Sequence, residues 1–210
     1  MRSSNDAGRG LRRASRGKLI LFEGIDGSGK TVQSKLLLAA LAQKNITATI
    51  IHHPDYNQPI GQLIRSYLEN HLDFPASTVF QLFTADQIKD AKRIQDLLEG
   101  GSWVIKDRSL PSAVAYQSAQ GFSNAKKIAA LLPHPRPDLV LFLDIPADVA
   151  VRRKVADRPD RLEVNEKLLA MVAKNYQSLA RAKFLGKWLR LDGTKSKEEI
   201  AQEIRAALKL

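Results

Sequence analysis

Apolar residues in this chain fall into two rhythms, short and largely apolar runs and longer stripes with helical spacing. The runs are residues 19–22, 47–51, 103–105, 139–143 and 188–191. Each is bounded by polar or turn-forming residues and is too short for a helix, so each predicts a buried strand. Between the runs lie the stripes. Residues 32–43 are rich in helix formers. Residues 60–72 place Ile60, Leu63, Ile64, Tyr67 and Leu68 on one helical face. Residues 80–98 repeat the pattern through Leu82, Phe83, Ile88, Ile94, Leu97 and Leu98, until Gly100-Gly101 stops it. Further helices are predicted at 112–120 (broken by Gly121), at 124–132, from about 147, and from 163 to about 184. A last one starts at Ser196, where Glu199 completes a capping box. Pro133, Pro135 and Pro137 make a stiff connector before the fourth run. The alternation predicts an α/β fold, a three-layer sandwich around a five-stranded, mostly parallel sheet. Ligands of such sheets sit beyond the carboxyl ends of the strands. The loops at Gly24, His53, Asp107, Asp144 and Asp192 should therefore share one rim.

The first of these loops carries the clearest chemistry. Gly24-Ile25-Asp26-Gly27-Ser28-Gly29-Lys30-Thr31 matches Gly-x-x-x-x-Gly-Lys-Ser/Thr, with an apolar strand before it and helix formers after it. Such a loop aims backbone N–H groups and the positive end of a helix dipole at one point, which suits a polyphosphate. Lys30 would reach the β- and γ-phosphates, and the Thr31 hydroxyl would join a Mg²⁺ shell. This loop binds a nucleoside triphosphate, with ATP and Mg²⁺ as the expected ligands.

Composition sharpens the picture in a few places. The 210 residues are 44% hydrophobic and 26% charged, as expected of one soluble domain. There is no cysteine, which excludes disulfides and thiolate metal sites. No apolar run approaches membrane-spanning length and no signal-peptide core follows the N-terminus, so a cytoplasmic enzyme is the default. The formal charge is +11. Part of it sits in residues 1–17, where Arg2, Arg9, Arg12, Arg13 and Arg16 face only Asp6; this tail is expected to be disordered, ahead of a single domain at 18–210. The remaining surplus fits polyanionic ligands. No aromatic-interleaved motif supports nucleic-acid binding. The four histidines lack metal-ligand spacing, and no Asn-Lys-x-Asp base reader of a GTPase occurs.

Five segments then resemble, in order, the thymidylate kinases among the P-loop nucleoside monophosphate kinases. They are the phosphate loop; Pro59-Ile60-Gly61 with Ile64-Arg65; Gln81-Leu82-Phe83-Thr84-Ala85-Asp86; Asp107-Arg108-Ser109 with Ser112 and Ala115-Tyr116-Gln117; and Asp160-Arg161-Leu162-Glu163. The resemblance implies the P-loop nucleoside triphosphate hydrolase fold, transfer of the γ-phosphoryl group of ATP to dTMP, and a homodimer. It assigns Arg108 to the acceptor phosphate, Asp107 to water-bound Mg²⁺ or to orienting Arg108, and Asp26 to the sugar 3′-hydroxyl. It also implies that Phe83 stacks on the base, that Tyr116 crowds the 2′ position, and that Tyr56 and Gln117 contact the acceptor. Residues 152–163 resemble the family's lid. Because Gly27-Ser28 replaces an arginine found in some members, Arg153, Arg158 or Arg161 is expected to supply the transition-state cation. Gln87 departs from the usual arginine that reads thymine O4, and a glutamine amide donates there more weakly. A deoxynucleoside kinase, with Asp107 as base toward a sugar hydroxyl, is the alternative, as is a monophosphate kinase with altered base preference.

Overall fold

The computed structural model describes residues 16–154, 161–162 and 165–210. Five strands, β1 (Leu19–Glu23), β2 (Ala48–His52), β3 (Trp103–Asp107), β4 (Leu139–Asp144) and β5 (Trp188–Asp192), form one parallel sheet in the order β2-β3-β1-β4-β5. Each strand matches one apolar run, extended by up to two polar residues at its carboxyl end. Those additions, Glu23, His52, Lys106, Asp107, Asp144 and Asp192, are the rim.

The pleat decides what each rim residue meets. Ile20 and Phe22 join Ile105, Leu141 and Leu143 beneath α1 (Lys30–Gln43) and α9 (Lys197–Leu208). Leu19 and Leu21 face the other way with Val104 and Val140, against α4 (Ala91–Glu99). Side chains alternate along a strand, so Asp107 falls on the α1 side with Ile105, while Glu23 falls on the opposite side with Leu21. On that side α8 (Glu166–Arg181) lies against β4, and α5 (Leu110–Ala119) packs on α8. The helices α2 (Pro59–Leu68) and α3 (Ala76–Ile88) complete this layer around the core that holds Ile64, Phe80, Val114 and Tyr176.

The helical stripes needed four adjustments. The pattern over 80–98 is two helices, α3 and α4, because the chain turns at Lys89-Asp90, where the Asp90 carboxylate is held by His53 at 3.1 Å and Lys89 at 2.8 Å. The second predicted helix ends at Leu68 rather than 72. Asn70 takes φ 63° there, and the N–H groups of Asn70 and His71 bond to Tyr67 and Ser66 in a Schellman closure. The helix expected from about 147 is α7 (Ala147–Lys154), which carries Arg152 and Arg153. The stripe over 124–132 yields only α6 (Ala125–Ala129), and α8 starts at Glu166, after Asn165 caps Leu168 N–H at 3.0 Å. The basic tail before residue 16 and the lid residues 155–160 and 163–164 lie outside the described residues.

Candidate active site

The rim opens into a pocket of about 530 Å³ between the phosphate loop, the β2 and β3 loops, α3 and α5. At its floor the loop wraps the Lys30 ammonium, whose Nζ donates to Gly24 O at 3.0 Å and Ile25 O at 2.9 Å, with Ser28 Oγ 3.5 Å away. Glycine is required at 24, where φ is +143° and a Cβ would stand 2.5 Å from Leu143 O. Gly29, at φ 95°, starts α1 without a side chain over its free N–H groups. Burial, and then repulsion from Arg108, lower Lys30 to about 8 against the pull of Asp26, Asp107 and Glu23. A polyphosphate arriving here would restore the full charge.

Beside Lys30, Thr31 Oγ1 donates to Asp107 Oδ2 at 2.7 Å, and His52 Nδ1 lies 3.3 Å from the same oxygen. Asp107 Oδ1 is buried without a partner. Burial disfavours this anion, but the His52 hydrogen bond, Lys30, the Thr31 hydroxyl and Arg108 outweigh it and bring Asp107 down to about 2. A hydroxyl and a permanently ionised carboxylate with an unused oxygen are the hard donors that Mg²⁺ takes alongside phosphate and water. No group of three or more His, Cys, Asp or Glu that could hold a metal exists among the described residues. Phosphate and water would therefore supply the rest of the shell.

Arg108 is ion-paired with Asp26 Oδ1 of the loop, and Tyr116 OH donates to Asp26 Oδ2 at 2.8 Å. The guanidinium also lies 5.5 Å from the Tyr116 ring centroid. Burial, followed by the Asp26 anion, pushes the Tyr116 phenol well up, so it remains a donor. The far end is lined by Tyr56, Phe83, Gln87 and Gln117. Tyr56 is covered by Arg65, 4.5 Å above its ring. Gln87 Oε1 and Gln117 Nε2 are buried without partners.

The model of the family described as Thymidylate kinase matches residues 22–204. This chain belongs to the thymidylate kinase family. A thymidylate kinase of Plasmodium falciparum is 32% identical over 192 residues, covering 90% of this chain and 88% of that protein. The thymidylate kinases of Danio rerio and Homo sapiens are 34% and 32% identical, covering 90% and 91% of this chain and 89% and 90% of their own. Among solved structures, the thymidylate kinase of Candida albicans superposes with a TM-score of 0.79 at 29% identity, covering 92% of each chain.

Most of the residues singled out from the sequence converge on this kinase-family pocket, with Asp26, Gly27, Gly29, Lys30, Thr31 and Asp107 at one end. Gly24, Ile25 and Ser28 shape the loop from behind through Lys30. Of the three arginines expected to supply the transition-state cation, Arg153 reaches the pocket: its Nη1 donates to Gly193 O at 2.9 Å and Gly27 O at 3.3 Å. Arg161 instead bonds Asn70 and Asp73, each at 2.8 Å, and lies 4.4 Å from the Tyr67 ring centroid, outside the pocket lining. Arg158 lies outside the described residues. Of the two tasks considered for Asp107, orienting Arg108 falls in the structure to Asp26. His52 on Asp107 was missed, because a histidine with no neighbouring ligand pattern gives no signal until the sheet register sets it opposite Asp107.

Proposed function

We propose that this chain transfers the γ-phosphoryl group of ATP to the 5′-phosphate of dTMP, giving dTDP and ADP. The observation that carries the reading is that Lys30 and Arg108 line one pocket, where Lys30 would meet the donor phosphates and Arg108 the acceptor phosphate. The α1 N-terminus and Lys30 would hold the donor phosphates, with Lys30 exchanging two carbonyl partners for phosphate oxygens. Thr31 and Asp107 would hold Mg²⁺, which supplies charge neutralisation on the phosphates when bound. Arg108 would keep one edge of its guanidinium on Asp26 and offer the other to the acceptor phosphate, a planar fork for a planar pair of oxygens. Asp26, held by Arg108 and Tyr116, would face the sugar. Arg153 sits on the carbonyls that flank the donor side, so closure of residues 152–163 would bring its charge to the transferring group and exclude water.

The deoxynucleoside kinase reading asks Asp107 to act as a base. A carboxylate held at about 2 and already accepting from Thr31 and His52 is poorly matched to that task. An altered base preference has a specific observation in its favour, the carboxamide of Gln87 at the base end. A homodimer and a cytoplasmic location belong to the same proposal; among the described residues no helix is long and apolar enough to cross a membrane. The test is ADP release from Mg·ATP with dTMP, dUMP, dCMP and thymidine as separate acceptors. Turnover with dTMP and none with thymidine is expected. Turnover with thymidine but not with the monophosphates would overturn the reading.

A further inference from the structure

One buried acid stands behind this machinery. Glu23, the last residue of β1, has no solvent exposure, and both its carboxylate oxygens are used. Oε1 accepts the Ser109 N–H at 2.8 Å. Oε2 accepts the Ser112 hydroxyl at 2.6 Å and the Tyr176 hydroxyl at 3.2 Å, and those two hydroxyls lie 2.7 Å apart. All three partners bear on Arg108. Ser109 follows it directly. Ser112 Oγ accepts from Arg108 Nη1 at 3.4 Å, and Tyr176 packs edge-on against Tyr116, the ring beside the guanidinium.

The backbone shows why such a hold is needed. Arg108 has φ of 70°, a left-handed conformation that residues with a side chain adopt at a cost. Its own N–H is tied to Phe22 O at 3.1 Å, and the next N–H is tied to Glu23. Consecutive residues of β1 thus grip both sides of the strained residue, and Ser112 carries the same carboxylate to the guanidinium end. Ser109, at the N-cap of α5, makes no capping bond with its own side chain, and its own N–H is the one that Glu23 accepts.

We propose that Glu23 is a positioning residue for Arg108, fixing its backbone through Ser109 and its guanidinium through Ser112 so that the acceptor phosphate meets a preset cation. The inference rests on the reading of Arg108 as the acceptor-phosphate group. The charged and titratable groups facing this carboxyl are Arg108, Lys30 of α1, Lys106 of β3 and Tyr176 of α8. Burial raises Glu23 to about 7, against the Ser112 hydrogen bond, the attraction of Arg108 and Lys30, and the Tyr176 hydrogen bond. The clamp therefore changes protonation within the working range of pH.

The experiment compares wild type, E23Q and S112A by steady-state kinetics with Mg·ATP and dTMP each varied at saturation of the other, from pH 5.5 to 9, with melting curves for each. E23Q keeps an acceptor for Ser109 N–H but loses the charge facing Arg108. We expect its kcat at pH 8 to fall by about tenfold, with the KM for ATP within twofold of wild type. The acid limb of kcat near pH 7 should vanish in E23Q, and S112A should lower kcat in the same direction while Glu23 still holds Ser109. Wild-type kcat and an unchanged pH profile in E23Q and S112A, even with lowered melting temperatures, would reduce Glu23 to an anchor for α5 and overturn the proposal. If E23Q does not fold, S112A decides by the same criteria. Absence of dTMP turnover in the wild type would strike the acceptor reading itself, an outcome distinct from turnover indifferent to Glu23.

Discussion

Arg108 holds Asp26 and lies against the face of Tyr116 at the same time, and neither contact is open to a lysine in the same way. A guanidinium can keep one edge on the Asp26 carboxylate while offering the other to phosphate, whereas an ammonium is a single point. Arg108→Lys should therefore lower kcat/KM for dTMP by about a hundredfold, since a charge-assisted pair contributes roughly 1.5–3 kcal/mol and each 1.4 kcal/mol is tenfold. The KM for ATP should stay within threefold, and equal losses on both substrates would contradict the acceptor role. Gln87 invites the opposite experiment. A fixed donor at this position would favour the O4 acceptor of thymine and repel the N4 amino group of cytosine. Gln87→Arg should raise the ratio of kcat/KM for dTMP over dCMP by about tenfold, the scale of one base-edge contact. An unchanged ratio would remove Gln87 from base reading.

At the scale of elements, β1, β3 and β4 were legible because they are buried on both faces and read as unbroken apolar runs. The helix ends were not, because they depend on contacts that periodicity does not contain. Asp90, at the turn between α3 and α4, is held by His53, far back in the chain, and by Lys89. The site divided the same way. Lys30, Thr31, Asp107 and Arg108 stand in local motifs, while Glu23 reads as the tail of a strand until the pleat turns it toward α5. Gly61 shows how tightly these elements are set, since a Cβ there would lie 1.9 Å from Asp55 O. Gly61→Ala must push α2 away from the loop that carries Tyr56. The expected cost is about 1–3 kcal/mol, the usual range for overpacking, seen as a lowered melting temperature. A raised KM for dTMP with little change for ATP should accompany it, and a variant with wild-type stability and KM would show that the loop yields freely.

Across the whole molecule, assembling the rim buries groups whose protonation then depends on the fold, and their signs differ. His53 is lowered to about 3 from its ordinary 6.5, by burial first and then by Lys106 and Lys89. The folded chain keeps it neutral while the unfolded chain binds a proton, so this contribution is whole above pH 6.5 and is lost as pH falls toward 3. Asp107, lowered to about 2, acts in the same direction below 3.8. Glu23 opposes them. Raised to about 7 from 4.5, it binds its proton more tightly in the fold, so its contribution is whole below pH 4.5 and is lost as pH rises through 7. Between pH 4.5 and 6.5 the folded state has gained one proton at Glu23 and the unfolded state one at His53, and the two slopes, each about 1.4 kcal/mol per pH unit, largely cancel. Below pH 4.5 Glu23 is protonated in both states and His53 acts unopposed. Melting temperature should therefore be nearly level from pH 6.5 to 4.5 and fall steeply below it. E23Q should uncover the His53 slope from pH 6.5 downward, and His53→Gln should flatten the fall below 4.5. Calorimetry over pH 3.5 to 7.5 on the three proteins checks this, and parallel curves for wild type and His53→Gln below pH 4.5 would mean that His53 is not the group that fails in acid.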